Sequence, residues 1–280
     1  MLYLSLILIG LLGYLAQTTG LCMVRGVKEA RSGNPMFLLA ILFSGALAWL
    51  SFGVVNIFSH QAEAIAYQST WYFAIGGFLF GFGAALNSGC GVSTISRLAR
   101  GHMVMIATIA GWLFAWCLFA LLELEIPLTR FTLPAATHYL ILMVISISLA
   151  VFILHLNANQ KKLWLSMLGI GLMAGVIFIY EPHWTPSGLL KGISFSLWHG
   201  KQEQWPDQER FWLIGSLLLG MLIAAVVTKS FKLDLKKPKD YLRHFGAGGL
   251  MGFGAVLASG GNDTQLLVAL PALSPAGGVA

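Results

Sequence analysis

The stretch from Gly76 to Gly101, GGFLFGFGAALNSGCGVSTISRLARG, constrains the fold more than any other part of this chain. No charged residue occurs from Trp71 to Ile95, and the apolar run ends in a polar segment that holds a single cysteine. Small residues at helical spacing let membrane helices pack closely, and the glycines beside the cysteine permit non-helical backbone. Irregular backbone at membrane depth is tolerated only inside protein or beside a cavity. The stretch therefore predicts a membrane helix that breaks at a polar site with one thiol.

The same motif recurs near the end of the chain. Residues 252–263, GFGAVLASGGND, align without gaps on residues 81–92, GFGAALNSGCGV, and Gly261 stands opposite Cys90. The shared break after Ser-Gly favours an internal duplication over a chance match. Interrupted helices at corresponding positions of two repeats are typical of a transport site.

Composition places the chain in the membrane. Of its 280 residues 57% are hydrophobic and only 10% are charged, and the mean hydropathy is +0.78. A soluble domain of this size needs more polar surface, so we predict an all-α polytopic membrane protein. Its start has no basic residue before the apolar run, which is typical of a retained first span rather than a cleaved signal peptide. The net charge of +6 is explained by topology and not by nucleic-acid binding.

The hydrophobic pattern predicts eight long helices, each near the ~20 residues that cross a bilayer. They lie at about 2–20, 36–55, 71–87, 103–124, 137–156, 163–180, 211–228 and 243–258. Shorter helices at about 22–32, 92–100 and 263–273 are candidates for half-helices or re-entrant segments. We expect eight or nine transmembrane helices in all.

The distribution of Lys and Arg predicts the orientation. With the N-terminus outside, all 17 basic residues except Arg130, Lys191, Lys201 and Arg210 fall in inside loops, as the positive-inside rule requires. The two GFGA repeats are then antiparallel, which is an inverted-topology repeat with a site near the membrane midplane.

A weaker similarity links residues 9–13 of the first helix with residues 170–174 of the sixth. Such short apolar matches are common in membrane sequence, so this pairing is open. It would divide a single transport domain, residues 1–280, into halves of about 1–156 and 163–280. The polar segment 181–210 would then be an external elaboration of the second half, or an amphipathic cap at the membrane interface.

Two cysteines are candidate site residues. Cys22 and Cys90 each follow a glycine region at a predicted helix break and precede an arginine, whereas Cys117 lies in an apolar run and is expected to be a core residue. The alternative for Cys22 and Cys90 is that each is a small buried hydrophobe. The three cysteines are far apart without a CxxC pair, which argues against a disulfide framework or a zinc site, and we predict no cofactor.

The local chemistry favours an anion with soft character. Helix N-termini attract anions, and a polarizable thiol suits sulfur. Asp263 is the one acidic residue nearby, and it serves either as a helix cap or in substrate or proton binding. The predicted substrate-binding residues are Cys22, Asn87, Ser88, Gly89, Cys90, Gly91, Ser93, Thr94, Gly260, Gly261, Asn262 and Asp263.

These motifs resemble the YeeE/YedE family of bacterial inner-membrane proteins, the sulphur-transport domain family. The similarity rests on GFGAALNSGCGVSTISRLARG, on the early Gly-Leu-Cys-Met-Val-Arg and on the late GFGAVLASGGNDTQLLVALPALSP. The resemblance implies thiosulfate uptake through an hourglass-shaped protein, in which cysteines at a central constriction pass the anion along by transient S–H contacts. Cys22 and Cys90 match two of these cysteines. The third would fall at Gly261, so the exact anion is open between thiosulfate and a related sulfur or selenium species.

Two other functions remain open. One is a membrane-bound sulfur-handling enzyme, or a docking protein for a cytoplasmic sulfur carrier, with Cys90 as a persulfide-forming nucleophile. The other is a non-transporting membrane subunit. The expected partners of the leading hypothesis are the lipid bilayer, a small inorganic sulfur-containing anion and a cytoplasmic sulfur-carrier protein.

Overall fold

A computed structural model describes residues 1–57, 66–122, 126–199 and 205–280. Within these residues the chain is all-helical, without a β-strand. The α-helices are α1 (Leu2–Thr19), α2 (Met23–Arg31), α3 (Met36–Leu42), α4 (Ala48–Ile57), α5 (Trp71–Asn87), α6 (Gly91–Ala99), α7 (Met105–Leu121), α8 (Ala135–Leu154), α9 (Ala158–Tyr180), α10 (Pro186–His199), α11 (Gln208–Val227), α12 (Pro238–Leu257), α13 (Asn262–Thr264) and α14 (Pro275–Val279).

Six stretches of the described residues are long and apolar enough to cross a membrane, which confirms a multi-pass membrane protein. They are Leu2–Arg31, Met36–Gly53, Trp71–Ala99, Ala135–Leu154, Ala158–Tyr180 and Gln208–Val227. Helix α7 is apolar but shorter, and α12 begins with charged residues. The total of eight or nine spans therefore stays a prediction.

Each predicted long helix has a counterpart, with differences at the ends. The helix predicted at 36–55 is divided into α3 and α4 by a 3-10 turn, Ser44–Leu47. Helix α9 begins earlier than predicted because Asn157 and Gln160 form a capping box. Helix α12 also begins earlier, with Pro238 in its first turn, where proline is well tolerated.

Loop contacts define two faces of the molecule. On one, which we call the basic face, Lys232 N–H donates to the Arg100 carbonyl at 2.9 Å. On the opposite face, Ala276 N–H donates to the Tyr67 carbonyl at 3.1 Å. Helices α5 and α6 therefore run from the opposite face to the basic face, and α12 and α13 run back. This confirms the inverted repeat.

The two repeats break with the same backbone geometry. Ser88 and the aligned Ser259 adopt left-handed conformations, with φ of 56° and 55°. Cys90 and the aligned Gly261 precede the next helix in extended conformations, with ψ of −179° and 178°. The aligned sequences thus encode equivalent interruptions of the helix.

The expectation for residues 181–210 is wrong at the start of α10. Trp184 and Thr185 are buried inside the protein, and Ser187 at the start of α10 bonds to Asp263, whereas Pro182 and His183 are exposed. Helix α9, a short break and α10 repeat the arrangement of α1 and α2. Residues 200–204 of this segment lie outside the described residues.

Helix α12 is wedged between α5 and α7 because glycines bring the backbones together. A Cβ added at Gly252 would lie 2.7 Å from the Ala115 Cβ and 2.8 Å from the Trp112 carbonyl oxygen. At Gly83 it would lie 2.8 Å from the Ala247 carbonyl oxygen. Close approach of small residues is the usual way in which membrane helices associate. This packing places the end of α12 beside the end of α5.

The aligned glycines Gly81 and Gly252 give a matched test of this packing. Gly252→Ala inserts a methyl group against backbone, and we expect a loss of about 1–3 kcal/mol in stability. Gly81→Ala meets nothing within 4 Å, so the thermal unfolding midpoint of the purified protein in detergent should be unchanged or slightly higher. Equal midpoints for the two variants would contradict close packing at Gly252.

Candidate functional site

The candidate site lies where four short helices begin. Cys22 precedes α2, Cys90 precedes α6, Thr185 precedes α10 and Gly261 precedes α13. The first N–H groups of a helix have no partner within it. In a membrane these groups need other acceptors, because an unpaired buried N–H costs free energy. The structure shows that the four helix starts supply acceptors to one another.

In the first half, the acceptors come from Cys90 and from the second repeat. Met23 N–H, at the start of α2, donates to the Cys90 Sγ at 3.4 Å. Gly91 N–H, at the start of α6, donates to the Asn262 Oδ1 at 3.1 Å. Sulfur is a weak acceptor, so α2 has a weaker cap than α6.

In the second half, the acceptors are a carboxylate and hydroxyls. Ser187 N–H, at the start of α10, donates to the Asp263 Oδ2 at 2.9 Å, and Gly261 N–H donates to the Ser187 Oγ at 3.3 Å. Thr264 Oγ1 lies 3.0 Å from the Thr185 Oγ1 and 2.9 Å from the Ser187 Oγ. Asp263 thus caps α10 and not, as its position predicted, its own helix α13, which has no side-chain cap. A role in substrate or proton binding stays a prediction.

Asn87 anchors the break of α5. Its side chain is fully buried, and its Nδ2 donates to the Gly89 carbonyl at 2.9 Å and to the Thr94 Oγ1 at 2.8 Å. Its Oδ1 accepts from the Thr108 Oγ1 at 2.8 Å and lies 2.7 Å from the His244 Nδ1. These bonds join α5, α6, α7 and α12, so Asn87 supports the site rather than lining it.

Cys22 and Cys90, the thiol pair, lie between two cavities. Their side chains interact directly. Cys22 lines a cavity of about 350 Å³ and Cys90 lines another of about 480 Å³. Substrate moving from one cavity to the other along this line would pass both sulfur atoms.

The cavity next to Cys22, which we call the basic cavity, is polar and cationic. It lies at the ends of α1 and α5 and the starts of α2 and α6. Its lining residues are Gln17, Thr18, Thr19, Gly20, Leu21, Cys22, Arg25, Ser88, Ser93, Ser96, Arg97 and Arg100. Among the residues that the structure describes, three guanidinium groups and no acidic residue line it.

The cavity next to Cys90, which we call the apolar cavity, lies among α2, α5, α13 and α14. Gly77, Phe80, Ala84, Leu266 and Leu270 are among its lining residues. Its few polar side chains are those of Cys90, Asn262 and Gln265, and no charged side chain lines it within the described chain. The two cavities thus differ in charge as well as in polarity.

Trp112 fills the space beside the second repeat. A Cβ added at Gly261 would lie 2.9 Å from the Trp112 Cζ2 and 2.6 Å from the Asp263 Oδ1, and one added at Gly91 would lie 3.0 Å from the Trp112 Cη2. The indole is almost completely buried and packs edge to face on Phe80, at 5.5 Å between ring centroids. At Gly261, the position aligned with Cys90, the Trp112 ring therefore occupies the space into which a side chain would project.

The structure separates the predicted site residues. Cys22, Ser88 and Ser93 line the basic cavity, whereas Cys90, Gly260 and Asn262 line the apolar cavity. Gly91, Thr94 and Asp263 line a smaller cavity of about 130 Å³. Asn87 and Gly89 are buried at the break of α5, and Gly261 packs on Trp112.

The sequence analysis noted an arginine after each of Cys22 and Cys90 but named none as a site residue, and it did not identify Trp112 or the hydroxyls of Thr185 and Ser187. The spacing of three between Arg97 and Arg100 places both on one helix face. Trp112 and Ser187 have no local sequence signal, because only the tertiary fold brings them to the helix breaks.

Comparison with protein families gives two successive matches to one family model. The model, described as sulphur transport, matches residues 15–158 and again residues 149–280. The search of curated proteins found no match to this chain.

The packing of Trp112 predicts that a third thiol does not fit at position 261. Gly261→Cys has suitable backbone angles but forces its Cβ against the indole, so we expect a loss of about 1–3 kcal/mol. Trp112→Ala alone leaves a cavity and also destabilises the protein. The double variant should lose less stability than the sum of the two single losses. Thermal unfolding of the wild type, both single variants and the double variant would measure this difference. Strict additivity would contradict the contact.

Proposed function

Since the chain belongs to the sulphur transport family, we propose that it carries thiosulfate, or a related small sulfur-containing anion, across the membrane past the thiol pair. The family establishes sulfur transport at a general level. The substrate and the mechanism are our proposal, and they rest mainly on the position of Cys22 and Cys90 between two cavities.

The hydrogen bonding of Cys90 supports its role as a donor. Its sulfur already accepts from Met23 N–H, so its own S–H is free to donate to Cys22 or to an anion. Its carbonyl oxygen accepts from the Thr94 Oγ1 at 2.9 Å and from the Ser93 Oγ at 3.0 Å. The backbone that carries the thiol is therefore held in place while the thiol itself can change partners.

A sulfur-containing anion suits this pair of donors. Thiols are weak, polarizable donors, so each contact holds the anion loosely and releases it easily. Passage requires binding that is favourable enough for entry and weak enough for exit. With glycine at position 261, the relay in this chain has two thiols, and no bond to sulfur is formed or broken.

The start of α2 adds a second kind of contact. Of the four helix starts, only α2 has sulfur as its acceptor, at 3.4 Å, whereas the other three have oxygen acceptors. An anion beside Cys22 would give Met23 N–H a stronger partner, and helix N-termini bind anions through such groups. This favours the first half of the chain as the binding side.

We place the basic face in the cytoplasm by the positive-inside rule. The apolar cavity then faces the periplasm of a bacterial inner membrane, the N-terminus is periplasmic, and transport is uptake. A cytoplasmic sulfur-carrier protein is the proposed acceptor of the cargo on the basic face. Proteolysis or labelling of Lys232 from one side of the membrane tests this orientation.

The thiol pair should be required for uptake. In cells without other thiosulfate importers, Cys22→Ala or Cys90→Ala removes a donor from the relay, and we expect uptake of radiolabelled thiosulfate to fall at least about tenfold, the equivalent of one lost hydrogen bond to an anion. Growth on thiosulfate as sole sulfur source should fail in parallel.

Cys117→Ala is the matched control, since Cys117 lies on α7 and lines neither cavity. It should retain wild-type uptake. Normal uptake by both Cys22→Ala and Cys90→Ala, at equal amounts of membrane-inserted protein, would refute the relay. Mass spectrometry of protein recovered during turnover gives a second check, because a persulfide on Cys90 would favour the enzymatic alternative over hydrogen-bonded passage.

A further inference from the structure

We propose that the basic cavity is a separate binding station for a small divalent oxyanion, such as thiosulfate or sulfate, next to the thiol pair. The physiological meaning of this station rests on the proposed transport of a sulfur-containing anion. Its existence rests on the charges and donors of the cavity, and can be tested without transport.

The cavity has an excess of positive charge. Arg25, Arg97 and Arg100 line it, and among the described residues the one carboxylate paired with any of them is Glu29, 2.7 Å from the Arg25 Nε. Glu29 does not line the cavity. Two net positive charges therefore remain to attract an anion, and clefts of one charge concentrate ions of the opposite sign.

The arginines are held in place by neutral acceptors. Arg97 NH1 donates to the Asn87 carbonyl at 3.1 Å, Arg100 NH2 to the Gln17 carbonyl at 3.3 Å, and Arg25 NH1 to the Thr19 carbonyl at 3.1 Å. Each guanidinium has five N–H donors, so these bonds orient the groups without using all their donors. Carbonyl oxygens also leave the positive charge uncompensated. The result is a preorganised set of donors.

The cavity has room and access for a partly hydrated ion. Its volume of about 350 Å³ corresponds to roughly ten water molecules. Thr18, Arg25 and Ser88 are exposed, so the cavity opens to the outside of the protein. The hydroxyls of Thr19 and Ser93 on its wall already donate to the Leu15 and Cys90 carbonyls, so the guanidinium groups are the donors that an anion would use.

The described part of the second half has no equivalent station. At the start of α10 the Asp263 carboxyl oxygen already accepts from Ser187 N–H, so a side-chain acceptor of the protein itself occupies this place. In the first repeat the residue aligned with Asp263 is Val92. The apolar cavity has no charged side chain to hold an anion. Anion binding is therefore one-sided, and with the proposed orientation the station lies on the release side.

The test is the charge selectivity of Cys22 modification in the purified protein in detergent. A Cys117→Ala background is treated with negatively charged sulfonatoethyl methanethiosulfonate or with its positively charged trimethylammonium analogue, and labelling of the Cys22 peptide is followed by mass spectrometry. With each rate normalised to the reagent's rate with a free thiol, we expect the anionic reagent to label Cys22 at least about tenfold faster than the cationic one. Sulfate and thiosulfate should slow labelling by the anionic reagent.

Arg97→Gln and Arg25→Gln should each lower the preference of Cys22 for the anionic over the cationic reagent several-fold and weaken protection by sulfate. Arg97→Lys should retain most of this preference. Arg31→Gln is the matched control, because Arg31 ends α2 without lining the cavity. Equal rates for the two reagents, or a preference unchanged in Arg97→Gln and Arg25→Gln, would overturn the proposal. If the preference is present while cells show no thiosulfate uptake, the station stands and the proposed function is wrong. If uptake is present without the preference, the station alone is wrong.

Discussion

The structure depends on pairing the backbone N–H groups where its helices break. A helix start inside a membrane protein cannot rely on water, and an unpaired N–H group is costly there. Here the four short helices α2, α6, α10 and α13 begin close together, and each receives its acceptor from a neighbouring break. Although Thr185 also caps its own helix α10 through Gly188 N–H, each of the four helix starts has a bond to another break, so the site forms only when both repeats are folded together.

This mutual capping turns a duplicated sequence into an asymmetric site. The first half presents thiols and arginines, with a sulfur atom as the weak cap of α2. The second half presents Asp263 and hydroxyls, and the ring of Trp112 from α7 of the first half packs beside its break. The starts of α10 and α13 in the second half are capped by oxygen acceptors, whereas the start of α2 in the first half has the weaker sulfur acceptor. Under the proposed function, an anion would replace this weaker acceptor, and the break in the first half would be the functional one.

Close helix packing positions these breaks. Glycines of α12 bring its backbone against α5 and α7, and this contact brings Asn262 to Gly91 and His244 to Asn87. A longer side chain at Gly252 would move α12 outward and would change the hydrogen bonds at the site. The GFGA motif therefore serves the site indirectly, through the distance between helix axes.

The sequence by itself determined the class of the protein, its helices and its equivalent breaks. Apolar runs of membrane length and the Ser-Gly interruptions are local signals, so the helices, the inverted repeat and the importance of Cys22 and Cys90 as candidates follow from them. The burial of Trp184, Thr185 and Ser187 was not predictable, since the residues just before them, 181–183, have the local pattern of a polar loop. Only the tertiary structure decided which residues cap each helix start, that Trp112 fills the place beside Gly261, and that Arg25, Arg97 and Arg100 share one cavity with Cys22. These are contacts between residues far apart in the chain, and their geometry depends on how closely the helices pack rather than on any local pattern.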